Sequence, residues 1–174
     1  SLTSMGNTSR GLNLWAEEHL EKGHPSREID WRCGDIVSTM IRCYNGETVL
    51  MSFDFCTPRP TSTMRRIQGT KGIWLHDGYP NSLHKSVIHF EGKSPRHQWE
   101  DFGPYQEKYD HPVWKRYMKE GVVGGHGGGD LLVVRDFIGA VRRQVRPPID
   151  TYDAASWMAL SPLSERSLEL GSES

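Results

Sequence analysis

The stretch GDIVSTMIRCYNGETVLMSFDF, Gly34 to Phe55, decides the fold. Val37, Thr39, Ile41 and Cys43 fall on alternate positions, as do Val49, Met51, Phe53 and Phe55 on the return. A period of two is the signature of a strand with one face turned to a core. Asn45-Gly46 lies between the two runs and offers the positive-φ residues of a tight hairpin turn. An antiparallel hairpin is therefore the centre of the expected structure.

The flanking sequence adds strands on one side and helices on both. TPRP (57–60) ends the second strand, because proline has no amide hydrogen to give a ladder. TMRRIQG and GIWLHD form a further hairpin around Gly69-Thr70-Lys71-Gly72, and SVIHFEG is one more strand. Residues 92 to 104 are polar and loop-like. Upstream, Leu12, Trp15, Ala16 and Leu20 recur at helical spacing within Ser9–Gly23. Downstream, YQEKYDHPVWKRYMKEG is helical in two pieces, divided at His111-Pro112. Leu131, Val134, Ile138, Val141 and Val145 make the apolar face of a helix over Asp130–Val145, with Asp130 placed to cap it. A last helix starts near Asp150 and is kinked or broken by Pro162. The order predicts an α+β fold: an antiparallel-rich sheet with helices packed on one face.

Composition narrows the classes of function. The chain has 174 residues with 21 basic and 22 acidic side chains, a balance that offers no field for nucleic acid or an anionic membrane. No apolar run is long enough for a membrane-spanning helix. Hydrophobic residues at 36% and charged residues at 25% suit a soluble globular domain, and the compartment, cytoplasmic or periplasmic, stays open. Cys33, Cys43 and Cys56 are odd in number and show no zinc or redox spacing, and are expected as small buried residues on strands.

Gly124–Asp130, GGHGGGD, is the other informative stretch. It has neither the lysine of a P-loop nor a preceding strand of Rossmann type. The remaining histidines and carboxylates do not take metal-ligand spacing, so no metal is expected. A glycine run costs conformational entropy, and one imidazole in its middle points to close approach of backbone and ring to a ligand. A plain flexible linker is the competing reading.

These motifs together resemble the last third of the glycoside hydrolase family 109 enzymes, of the glucose–fructose oxidoreductase/inositol dehydrogenase superfamily. The likeness is carried by VGGHGGGDLLVVRDFIGAVRRQVRPPIDTYDAASWMALSPLSERSLELG and by the SRG helix. It extends to RCYNGETVLMSFDFCTPRPTSTMRRIQGTKG and KYDHPVWK, and so covers nearly the whole chain in order. It implies that residues 1–174 are a substrate-side, oligomerising C-terminal domain, an open-faced, antiparallel-rich mixed sheet with helices on one face. The NAD-binding N-terminal Rossmann domain and the YPTH substrate motif lie outside this sequence. The implied reaction oxidises a sugar such as N-acetylgalactosamine transiently at C3, with NAD as cofactor. A base then removes the C2 proton, the aglycone leaves by elimination, water adds, and reduction restores the sugar.

The resemblance also implies site residues. His126 matches the family's glycine-flanked histidine and is expected to transfer a proton or hydrogen-bond in the pocket. Arg59 of the PRP corner, Tyr109 and His111 are expected to border the carbohydrate. Thr61 stands where family members have a sugar-contacting tyrosine, so a hydroxyl remains without the ring. Asp130 is expected as a helix cap in preference to a catalytic carboxylate. Three readings stay open: the glycosidase, a sugar or cyclitol dehydrogenase of the same superfamily, and an inactive sugar-binding domain. A homo-oligomer is expected through whichever sheet face, Val37/Ile41 or Met51/Phe53/Phe55, the helices leave bare.

Overall fold

The computed structural model describes residues 1–60, 63–76, 86–121 and 124–173. They divide into two compact units: Ser1–Pro58 with Arg146–Ser174, and Arg59–Val145. The α+β class holds, with the strands among the described residues in two sheets in which every pairing is antiparallel.

The first unit contains β1 (Leu2–Gly6), α1 (Gly11–His19), β2 (Ile36–Arg42) and β3 (Thr48–Asp54), in sheet order β1-β2-β3. The hairpin read from Gly34–Phe55 is present, with Ile36 opposite Asp54 and Arg42 opposite Thr48. Its turn is looser than an Asn-Gly two-residue loop. Cys43 donates its amide to the Glu47 carbonyl at 2.8 Å, and Gly46 alone takes positive φ, at 98°. This is the longer hairpin loop in which a glycine makes the left-handed step.

β1 was not legible as a strand. It pairs with β2, and Ser4 stands opposite Thr39. The Ser4 amide points away from β2 and donates to the Ser167 hydroxyl at 3.0 Å. Ser167 lies on α6 (Leu160–Glu169), which packs on β1. Ser4 and Thr39 hydroxyls meet at 2.9 Å, and Ser4 donates to Ser164 at 2.8 Å. The close pair fits a position where facing strands exchange no backbone bonds and side chains approach most nearly. Leu168 lies beside Gly6, 3.5 Å from where a β-carbon there would sit.

The face carrying Val37 and Thr39 is thus the one under α6. Its outer row, Val49 and Phe53, remains 41% and 47% exposed. The opposite face of the same sheet is the barer one: Met5, Met40 and Leu50 are 68%, 59% and 71% exposed. Val37/Ile41 and Met51/Phe53, named from the sequence as alternative candidates for the bare face, lie together on the face under α6.

α1 is shorter than the periodic segment, and its start is clamped. The buried Asp35 carboxylate accepts from the Arg10 amide at 3.1 Å and the Gly11 amide at 2.8 Å, satisfying amides that a helix start leaves without partners. A β-carbon on Gly11 would fall 2.6 Å from that of Cys56. Burial, then the neighbouring Asp35 charge, raises the Cys56 thiol above its ordinary pKa. None of the cysteines lies in a strand; Cys33 is exposed and all three are free. Each follows or precedes a strand end, where alternation no longer determines burial.

α5 (Thr151–Met158) begins with a reciprocal capping box. Asp150 accepts from the amides of Tyr152 and Asp153, and Asp153 accepts from the Asp150 amide. The Asp153 amide, followed by that of Tyr152, holds the Asp150 carboxyl below its ordinary pKa, with help from Arg146. The break expected from Pro162 falls at Ala159. That leaves the proline in the first turn of α6, where a missing amide hydrogen costs little.

The second unit contains β4 (Arg65–Gly69), β5 (Gly72–His76), β6 (Val87–Phe90) and β7 (Glu100–Asp101), in that order across the sheet. The Gly69–Gly72 hairpin is as expected, whereas β7 interrupts the loop expected over 92–104. Ile88 is buried between Trp74 and Glu100 in register. Trp74 meets Phe102 edge-on at 5.8 Å, and Phe90 meets Tyr105 at 5.2 Å. Tyr105 belongs to α2 (Gly103–Tyr109), which is followed by α3 (Pro112–Glu120) after the division at His111. α4 (Gly129–Arg143) buries Leu132 and Ala140. Its apolar stripe Leu131, Val134, Ile138, Val141 and Val145 is 41% to 61% exposed. Periodicity located the stripe but could not say what covers it.

The Ser4–Ser167 bond yields a stability prediction. Ser167→Ala removes the only partner shown for a buried amide, so unfolding free energy should fall by about 1–3 kcal/mol in urea titrations. A change below the error of the titration would show that the tie carries no stability.

Candidate functional site

Four of the five loop glycines have a conformational or steric reason, and Gly129, helical with open space beside it, has none. Gly124, Gly127 and Gly128 have φ of 104°, 66° and 90°, a region where a β-carbon is costly. Gly125 has ordinary φ but faces a carboxylate: a β-carbon there would stand 2.9 Å from Asp130 Oδ2. At Gly128 a β-carbon would fall 2.2 Å from the ring of Tyr117, which is buried on α3. The 3-10 turn His126–Gly128 thus rests on Tyr117 and leads directly into α4.

His126 itself takes φ of 51°, uncommon for a side chain larger than glycine's. Its Nδ1 lies 2.9 Å from Asp130 Oδ2. Asp130 is not the helix cap the sequence suggested. Gly128 is the cap residue, and Asp130 sits in the first turn of α4 with its carboxylate on the imidazole. Both side chains are open to solvent, at 88% and 62% exposure. With Nδ1 engaged, Nε2 is the nitrogen left for another molecule.

The other expected site residues are placed differently. Arg59 is exposed and opens the second unit, one residue past the end of the first. Thr61 lies outside the described residues. Tyr109 ends α2, 69% exposed, with the Lys108 ammonium 5.0 Å over its ring. His111 caps α3, its Nδ1 accepting from the Val113 amide at 3.3 Å. Among the described residues the imidazole of His126 is brought together with Asp130 alone. Among the same residues no three histidine, cysteine or acidic side chains converge as a metal site. Sequence reasoning missed Asp130 as a partner and Tyr117 as the loop's floor. The His-x-x-x-Asp spacing was the available signal for the first, since positions i and i+4 adjoin across a helical turn.

Fold and loop together define a class: an α+β module that presents a histidine–aspartate pair at the start of a helix. Comparison with known proteins gives the family. The model for "Glycosyl hydrolase 109, C-terminal domain" matches residues 1–174, and the chain belongs to that family. A glycosyl hydrolase family 109 protein of Stenotrophomonas maltophilia (strain K279a) is 45% identical over 145 residues, 83% of this chain and 30% of the relative. An alpha-N-acetylgalactosaminidase of Tannerella forsythia is 42% identical over 171 residues, 98% of this chain and 35% of the relative. A family 109 protein of Parabacteroides distasonis is 39% identical over the same length. The chain spans about a third of the length of these curated relatives.

The loop makes a paired prediction. Gly128→Ala combines positive φ with a clash against Tyr117 and should cost about 2 kcal/mol or more in thermal unfolding. Gly127→Asn meets open space at a φ asparagine tolerates, and should change stability by less than about 1 kcal/mol. Equal losses from the two substitutions would contradict the steric account.

Proposed function

We propose that this domain supplies the substrate-side wall and a proton-transfer group for a glycosidase acting on an N-acetylhexosamine or related glycoside. The reading is supported by a family match over the whole chain and by a relative named as an alpha-N-acetylgalactosaminidase. One observation carries it: an imidazole held by a carboxylate at 2.9 Å on a sterically fixed loop. A neutral imidazole whose Nδ1–H is bonded to a carboxylate accepts a proton at Nε2, and general base or acid catalysis needs that geometry.

NAD is part of the proposal, but not as a ligand of a cradle in this chain. The described strands pair only antiparallel, and the glycine loop enters α4 from a 3-10 turn rather than from a parallel βαβ unit. The relatives are about three times longer, which leaves room for a nucleotide domain elsewhere. Arg59, Thr61, Tyr109 and His111 are proposed as carbohydrate contacts. Thr61 in the tyrosine position favours a second reading, in which the domain binds a sugar or assembles without catalysing a reaction.

The test is an assay of the full-length protein with NAD on chromogenic N-acetylgalactosaminides, against His126→Ala. Turnover should fall by about 100-fold or more in the variant. Unchanged turnover would remove His126 from the chemistry. Reduced cofactor accumulating without release of the aglycone would replace the glycosidase by the dehydrogenase.

A second copy of the protein is proposed as the partner for the face carrying Met5, Met40 and Leu50. Met40→Glu should lower the molar mass measured by light scattering. A wild-type protein that stays monomeric at high concentration would refute the interface.

A further inference from the structure

We infer that Asp130 is a positioning residue for His126, fixing the ring in the tautomer that carries its hydrogen on Nδ1 and so leaving Nε2 as the acceptor. The inference rests on the reading of His126 as the proton-transfer group.

The argument starts from what else Asp130 could be doing. A carboxylate in the first turn of a helix is commonly there for the helix itself, by capping it or by facing its positive end. Asp130 makes no cap bond, since the cap residue is Gly128. Its Oδ2 is committed to His126 Nδ1 at 2.9 Å. The space that lets it reach the ring is kept by Gly125, whose missing β-carbon would stand 2.9 Å from the same oxygen. Gly125 has φ of −69°, so its backbone does not require glycine, and the carboxylate's clearance is the reason the position gives.

Charge attraction is the lesser part of the pair. Both side chains are mostly exposed, and water screens a pair of that kind strongly. Direction is the larger part. A carboxylate only accepts hydrogen bonds, so the ring nitrogen facing it must carry the hydrogen. A free neutral imidazole has no such restriction and swivels about two side-chain torsions. On the positive-φ backbone of His126, set on the Tyr117 floor, one hydrogen bond therefore determines both which nitrogen is basic and where it points. When Nε2 takes a proton, the positive charge appears on a ring already facing Asp130. When the proton is returned, the Nδ1–H tautomer is restored.

The experiment reads the tautomer directly, by side-chain nitrogen NMR of the full-length protein labelled at histidine, at a pH where the ring is neutral. Wild type should show His126 as the Nδ1–H form. Asp130→Ala should move it mainly to Nε2–H and lower kcat by about 10- to 100-fold, the usual range for an orienting partner, with KM little changed. Asp130→Asn keeps the size but lets an amide donate to Nδ1, and should mix the tautomers. Gly125→Ala leaves Asp130 in the sequence while crowding its carboxylate, and should shift the tautomer in the same direction by a smaller amount. It also serves as the check should Asp130→Ala fail to fold. A His126 tautomer indifferent to both Asp130→Ala and Gly125→Ala overturns the inference. A tautomer that shifts, beside a His126→Ala variant with full turnover, confirms the orienting pair and overturns the functional reading instead.

Discussion

The hydrogen bond from the Ser4 amide to the Ser167 hydroxyl is the contact on which the first unit depends. It joins β1 to α6 and so makes one body of the two chain segments that flank the second unit. Little else is buried deeply enough to do this. Among the described residues the buried apolar side chains are Ala16, Val37, Ile88, Tyr117, Leu132 and Ala140, and the one side chain below 2% exposure is a serine. A sparse apolar core constrains position weakly, because hydrophobic burial has no direction. Hydroxyls constrain it strongly. Ser4, Thr39, Ser164 and Ser167 satisfy one another only in one register, and a slip would leave buried donors without acceptors.

The glycine loop is fixed by a different rule. There the backbone is forced left-handed, and the space is limited by the Tyr117 ring on one side and the Asp130 carboxylate on the other. Its glycines therefore give shape, although glycine runs are usually associated with freedom. This matters for the proton transfer proposed above, because an imidazole on a loose segment spends most of its time misaligned. His126 is exposed yet held, a combination that requires a local support because no core surrounds it.

The sequence made some of this legible and hid the rest for physical reasons. The β2–β3 hairpin was readable because alternation is a local property, and the Gly69–Gly72 hairpin for the same reason. β1 was not, since LTSMG is short, lacks alternation, and owes its place to a residue 163 positions away. The loop histidine could be singled out by its neighbours. For Asp130 the His-x-x-x-Asp spacing was a signal but not a decisive one, because a carboxylate in that position serves a helix start and an imidazole four residues back equally well. The α4 stripe was visible, but exposure depends on what meets it. The cysteines, all off the strands, lay where the period of two no longer applies.

The span between Ser4 and Ser167 also has a bearing on how the chain acquires its shape. During synthesis the outer edge of β1 has no cover until α6 leaves the ribosome, by which time the whole of Arg59–Val145 has already emerged. Contacts this distant in sequence carry a large loop-closure cost and form late. In the interval a naked strand edge is open to pairing with another chain.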